Sequence, residues 1–440
     1  MNGLRTASGN RIRRAGFFWN AVYAGLNAVQ TALILFAVSR RYDLWAAGVL
    51  TIGFAIGNLA AITSRYGLRN YQVTDVRETF RFTDYFLNRI IATAGTAVLA
   101  LMFLALMTVC GRYSPDKSLI ILEVVLLRIE GAFEEVYVGR LEQKGRLDVG
   151  SRIASIRLGG STLVIFAAVW FLPDLRLCLL LGIVTGILLD LLLMPAGKRY
   201  ADFGLHPFSG KAAGELLKAG FPLCAGLVLY NYAGNAPKYL VDLFLTDELQ
   251  AVCGYIMMPM FVLSILNFLV MQPAVKGLGD SWNMDRVRFR QKVFRHILVI
   301  SGLAAAVIVT GFFAGLPILS AMYRIDLAPY RKEFLILMTG GALYAVSSYL
   351  ILLLTTMRRQ NGIIRGCGAA VLVYLALGGF MSRKAGFTGA CWLYVVANLV
   401  MAGVFLLFLR RREGRDEYPD SPGKNEDVHS GEQADPEKPD

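Results

Sequence analysis

The sequence predicts an all-α polytopic membrane protein: twelve transmembrane helices in two six-helix lobes, related by a parallel pseudo-twofold repeat. Three observations predict it. Hydrophobic residues make up 55% of the 440 residues, and apolar runs near 20 residues recur from end to end, each long enough for a bilayer core of about 30 Å. The connections between runs are short, so no soluble catalytic domain fits between them. Lys and Arg gather in alternate connections, as the positive-inside rule requires.

The spans follow in order. Span 1 (15–38) comes after Arg11, Arg13 and Arg14, but Asn20, Asn27 and Gln30 interrupt its apolar core, so it reads as a retained helix rather than a cleaved leader. Span 2 is 44–63 and carries Asn58; span 3 is 86–109, with Arg89 near its inner end, where it is expected to snorkel. Span 4 (118–138) is the most charged. Spans 5 and 6 are 153–172 and 175–194, with Asp190 close enough to the inner end to be solvated. Span 7 (217–243) carries a polar stripe, and span 8 (250–272) carries Asn267. Spans 9 to 12 are 294–316, 333–356, 363–381 and 389–409, the last with Asn398. Residues 413–440 hold ten acidic and three basic residues and almost nothing apolar, which predicts a disordered, solvated cytoplasmic tail.

With the N-terminus inside, the inner segments hold 33 Lys and Arg, the outer loops hold 11, and Arg128 lies within a span. The net charge of +13 is therefore topological bias, and no nucleic-acid partner is needed to explain it. Both termini are expected in the cytoplasm. Six scattered cysteines without a Cys-x-x-Cys pair read as small buried hydrophobes, and the three histidines have no metal-ligand spacing. Neither a metal nor another cofactor is expected.

Arg14-Ala15-Gly16-Phe17 at the start of span 1 recurs as Lys218-Ala219-Gly220-Phe221 at the start of span 7, and the same offset carries Asn27 onto Asn231. Six spans per half gives both halves one orientation, a parallel repeat of the kind that binds cargo between its halves. The units expected are an N-terminal lobe at 1–203, a C-terminal lobe at 204–412 and the tail at 413–440.

Polar side chains inside the spans fall on helix faces. Asn231, Asn235, Lys238 and Asp242 form one stripe at i, i+4, i+7 and i+11; Asn20, Tyr23, Asn27 and Gln30 form another in span 1. Glu123, Glu130 and Glu134 share a face of span 4, while Arg128 and Glu135 share a second. Charges at such depth mark a pathway or pair with one another. Two readings of span 4 follow: a charge network in which a glutamate neutralises Arg128, or a hydrated cavity in which Arg128 meets an anion and Glu130 or Glu134 changes protonation. Lys238 likewise either lines a cavity or snorkels, and Pro237 before it would kink the helix as a moving gate requires. A lone asparagine such as Asn58, Asn267 or Asn398 reads as an interhelical hydrogen bond. A Walker loop is missing, and so is a large outer loop.

Asn235-Ala236-Pro237-Lys238-Tyr239 closely resembles the signature in the seventh helix of Wzx-like oligosaccharide-lipid flippases, members of the MATE-like multidrug/oligosaccharidyl-lipid/polysaccharide exporter superfamily. Tyr66 to Asp75, Gly145-Arg146-Leu147-Asp148 and the Pro317 to Tyr330 loop are similar to the same family, so the resemblance spans residues 10–412. It implies a transporter, not an enzyme, that turns an undecaprenyl-diphosphate-linked oligosaccharide from the inner to the outer leaflet. The lipid-linked oligosaccharide and the bilayer would be its partners, with polysaccharide-assembly proteins. By this analogy Arg128 and Lys238 contact the diphosphate, and Asn27, Asn231 and Asn235 bind sugar hydroxyls. Many drug extruders carry an aspartate in helix 1; this chain has only Asn20, Asn27 and Gln30 there, which leaves span 4 for any proton coupling. The competing readings are a multidrug exporter and an integral-membrane polysaccharide polymerase; the latter wants a long outer loop with catalytic Arg or His, which is missing. A major-facilitator porter would need a Gly-x-x-x-Asp-Arg-x-Gly-Arg pattern after span 2, also missing.

Overall fold

Short polar caps set where the apolar runs start. In a computed structural model, which describes residues 2–75, 78–204, 207, 210–260, 263, 278, 286–357 and 359–410, Asp43 caps α2 (Leu44–Arg65) by accepting from the Ala46 amide, Ser114 caps α5 (Pro115–Ile129), and Thr246 caps α10 (Asp247–Ile256). Asp174 does the same for α8 (Leu175–Gly197) through the Arg176 amide. Left-handed residues end helices: Tyr66 and Gly67 (φ 53° and 66°) turn α2 into α3 (Leu68–Thr74), and Gly145 (φ 74°) turns α6 (Gly131–Gln143) into α7 (Leu147–Phe171).

The remaining helices are α1 (Asn2–Arg41), α4 (Phe82–Val109), α9 (Gly210–Phe244), α11 (Arg286–Thr310), α12 (Leu316–Tyr323), α13 (Arg331–Thr356) and α14 (Gln360–Arg410). A π-helical turn, Gly311–Gly315, joins α11 to α12. Every regular element among the described residues is helical. Nine helical segments among them are long and apolar enough to cross a membrane.

That number differs from twelve for physical reasons. Span 4 is divided into α5 and α6 at Glu130, whose φ and ψ of −53° and −43° remain helical. Its charges also take it out of the apolar class. The second half of span 8, with Asn267, lies outside the described residues, as does the tail at 413–440. Spans 11 and 12 fall together in α14, which would be about 77 Å long if straight. It is not straight. Gly386 (φ 56°, ψ −138°) breaks it, and the two arms return side by side: Gly366 abuts Phe405, and Arg359 donates to the Phe408 carbonyl at 2.5 Å.

The core is centred on α2, which packs against α4, α5, α9 and α10. The α1–α2, α4–α5, α7–α8 and α9–α10 turns gather at one end, here called the upper end, where Tyr42 donates to the Leu172 carbonyl and Lys117 meets Asp247. At the lower end the α3–α4 connection is fastened to α6: Glu78 pairs with Arg140 at 3.2 Å and with Lys144, and Asp75 accepts from the Thr79 and Phe80 amides.

Candidate functional site

Among the described residues, three charge groups within the helices contain the residues the sequence singled out. The first is built on Arg128, near the end of α5. Its Nη1 donates to Gln30 Oε1 at 2.6 Å and to Asn27 Oδ1 at 3.4 Å, both from α1, and its Nη2 donates to Asn58 Oδ1 of α2. Gly57 leaves room for the stem, since a Cβ there would lie 3.0 Å from Arg128 Cγ; the Phe54 ring lies 6.0 Å from the guanidinium. No carboxylate among the described residues pairs with Arg128. The charge-network reading of this residue is therefore corrected: three neutral amides hold it, and no glutamate does.

The glutamates have a different cation. Arg157 of α7, which the sequence reading placed with the inner basic residues, is buried between Glu130 at 2.9 Å, Glu134, and Asp190 of α8 at 3.9 Å. Asp190 therefore faces a buried guanidinium instead of being simply solvated. One cation faces three carboxylates, and Glu130 Oε2, Glu134 Oε1 and Asp190 Oδ1 are buried without hydrogen-bond partners. Glu123 pairs separately with Arg176 of α8 at 3.2 Å. Arg89 is fully buried, bonded to the Ser64 carbonyl and 3.1 Å from Glu135, so it does not snorkel. The signal for Arg157 was in the sequence: three glutamates on one face of span 4 need a cation from a neighbouring span, and Arg157 lies inside span 5.

The third group is on α9. Lys238 is 7% exposed and donates to Asn235 Oδ1 at 3.2 Å, while Asn235 donates to the Asn231 carbonyl at 3.2 Å. Snorkelling is thus ruled out for Lys238 in this conformation. Asp242, on the same stripe, serves another partner: Lys117 of α5 lies between Asp242 at 2.8 Å and Asp247 at 2.6 Å, and Tyr113 also donates to Asp242. Lys117, just before the expected start of span 4, is buried between the two halves of the chain. Lys238 has no carboxylate partner among the described residues.

The structure therefore joins Asn27 to Arg128, Glu130 to Glu134 through Arg157, and Lys238 to Asn235 and Asn231. It does not bring the α1 stripe onto the α9 stripe. Asn27 and Gln30 turn to α5 in their own half, and Asn20 and Tyr23 line a small polar cleft with Arg69, Glu134 and Glu135. Sequence reasoning did not place Gln30, Asn58 or Thr162 in the site.

No family model matches this sequence, and no curated protein does. Solved structures do match. An inward-facing multidrug resistance MATE family transporter of the MOP superfamily aligns with a TM-score of 0.67 at 12% identity, over 89% of this chain and 97% of that one. The lipid II flippase MurJ, in an inward closed conformation, aligns at 0.65 and 13% identity, over 91% and 87%. The eukaryotic MATE transporter AtDTX14 aligns at 0.62 and 11%, over 92% and 97%. This is the MATE-like transporter fold. Within the MATE-like fold, proteins named for drugs and a protein named for lipid II align almost equally well, so cargo has to be argued from side chains.

Proposed function

We propose that this chain is a flippase of the bacterial plasma membrane, carrying an undecaprenyl-diphosphate-linked oligosaccharide from the inner to the outer leaflet for cell-surface polysaccharide synthesis. The observation that carries the reading is Arg128: a guanidinium inside the helices whose hydrogen-bond partners are all neutral. A cation with no counter-ion at that depth favours an anionic cargo, because a diphosphate leaving water needs its charge compensated. Lys238 adds a second unpaired cation, and the amides of Asn27, Asn231 and Asn235 are suited to sugar hydroxyls. The Wzx-like Asn235-Ala236-Pro237-Lys238-Tyr239 segment and the MATE-like fold both fit this cargo.

The proposal includes twelve spans in two lobes, at 1–203 and 204–412, a cytoplasmic tail at 413–440, and both termini inside. Glu130 and Glu134 are the coupling candidates: with Asp190 they exceed Arg157 by two charges when all are ionised, a surplus that protons can neutralise. A multidrug exporter is the second reading, favoured by the MATE structures among the neighbours. A cationic drug would be repelled by Arg128.

Reconstitution with a labelled lipid-linked oligosaccharide tests the proposal. Arg128→Ala should reduce leaflet exchange by tenfold or more at normal membrane abundance, and Arg128→Lys should keep part of it because only the planar fork is lost. Normal exchange by Arg128→Ala would overturn the anionic-cargo reading.

A further inference from the structure

We infer that the neutrality of the Arg128 cradle is itself a specificity device, with Gln30, Asn58 and Thr162 as positioning residues that hold the guanidinium without cancelling its charge. The inference rests on the anionic-cargo reading above and names what sets it.

The hydrogen bonds form a chain of fixed polarity. Thr162 of α7 donates its hydroxyl to the Leu158 carbonyl at 2.6 Å, so its oxygen is left to accept. It accepts from Gln30 Nε2 at 3.0 Å. That contact fixes which end of the Gln30 amide faces which neighbour, and the carbonyl end is the one presented to Arg128 at 2.6 Å. Gln30 is 2% exposed and Thr162 3%, so water is a poor substitute partner for either.

Three of the five guanidinium N–H donors are thus engaged, two by α1 and one by Asn58. The donors left over are one hydrogen of Nη2 and Nε–H, and Nε has no partner among the described residues. Nε and Nη2 flank one edge of the planar fork, the edge that binds a phosphate through two parallel hydrogen bonds. Gln30 and Asn27 hold Nη1 and Asn58 holds one hydrogen of Nη2, which fixes the plane of the fork and leaves the buried Nε–H as its unpartnered donor.

The same lobe shows what a different choice does. Arg157 is held by carboxylates, and its charge is cancelled by them. A single amide-to-carboxylate change, Gln30→Glu or Asn58→Asp, would convert the Arg128 cradle into that arrangement with almost no change in shape. Glutamine and asparagine at these positions keep the site electropositive, and the Thr162 hydroxyl keeps the glutamine from turning its donor end toward the cation.

The test is binding of a short polyprenyl diphosphate, farnesyl diphosphate, to the purified full-length protein, with inorganic pyrophosphate as competitor. Wild type should bind, and Arg128→Ala should lose binding; failure of either overturns the anionic-cargo reading itself. Given both, Gln30→Glu should weaken binding by tenfold or more, whereas Gln30→Met, which removes the hydrogen bond without adding charge, should weaken it only a few-fold. Thr162→Val should match Gln30→Met. Equal losses in Gln30→Glu and Gln30→Met, or wild-type binding by Gln30→Glu, would overturn the role of neutrality. If Gln30→Glu does not accumulate as folded protein, Asn58→Asp against Asn58→Leu makes the same comparison from α2.

Discussion

Arg157 is the residue on which the N-terminal half depends most for its buried charge. It is 4% exposed at its side chain and meets Glu130, Glu134 and Asp190 together. Removing one partner of a buried pair costs about 3–5 kcal/mol, because the other charge stays behind. Arg157→Met should therefore lower the amount of folded protein in the membrane several-fold, and adding Glu130→Gln and Glu134→Gln to it should restore much of that amount. Arg128→Ala should not behave this way, since it leaves only amides behind. Quantifying membrane-inserted protein for the three variants checks both statements; no rescue by the paired glutamines would mean the cluster is not held together by charge. The polar residues of α1, α5 and α9 were all visible in the sequence as breaks in apolar runs. Their partners were not, because periodicity assigns a face and says nothing about which neighbour covers it. Arg128 and Glu130 are two residues apart and serve different helices.

Among the elements, the α3–α4 connection is held by two carboxylates that respond to pH. Burial acts to raise the Asp75 carboxyl, but the Phe80 and Thr79 amides and the Tyr85 hydroxyl outweigh it and hold the group below the usual carboxylate range. Lys144 and Arg140 hold Glu78 low as well. A carboxylate depressed in the folded state stabilises it above its free value, about 4, and that contribution is lost as pH falls through the folded value. The connection should stay fastened at neutral pH and loosen in strong acid. Hydrogen exchange at Thr79 and Phe80 should speed up on acidification beyond the intrinsic pH effect, and Asp75→Asn should show the faster exchange already at pH 7. Unchanged protection in Asp75→Asn would remove the carboxylate from this role. At this scale the sequence was partly legible: spans 2, 4, 6, 8, 10 and 11 start within about three residues of α2, α5, α8, α10, α13 and α14, whereas α1, α7, α9 and α11 begin well before spans 1, 5, 7 and 9, because polar and basic residues extend these helices beyond their apolar runs. The boundary expected between spans 11 and 12 falls at Gly386, where α14 folds back upon itself, and span 4 corresponds to α5 and α6, which meet at Glu130.

Across the whole molecule, the two halves are fastened at the upper end by Lys117 with Asp242 and Asp247, by Tyr113, and by Arg40, which donates to the Ala321 and Met322 carbonyls at 2.8 and 2.7 Å. Ser39 also meets Tyr255 at 2.6 Å. Under the proposed function, carriage of cargo to the outer leaflet would require these contacts to separate. Lys117→Met should favour the separated state, because Asp242 and Asp247 then repel each other with no cation between them. In a background lacking the native cysteines, a cysteine at Asn231 should react several-fold faster with an impermeant maleimide added outside intact cells when Lys117→Met is present. Equal rates would show that this ion group does not close the upper end. The parallel repeat proposed for this chain rests on a four-residue echo between spans 1 and 7, too slight to say where the halves touch.

Where α2 meets α10, a glycine on each helix leaves one side chain out of the contact. A Cβ at Gly48 of α2 would fall 1.9 Å from the Asp247 carbonyl oxygen, and one at Gly254 of α10 would fall 2.4 Å from Thr51 Oγ1. At Gly48 the backbones of α2 and α10 therefore rest almost directly on each other, while at Gly254 the α10 backbone rests on the small Thr51 side chain. A contact of that kind works as a bearing. It offers little resistance to rotation and none of the ratchet-like steps that interdigitated leucines impose. If one half rocks against the other, the axis should pass near Gly48 and Gly254, and the lower ends, farthest from it, would sweep the widest arc.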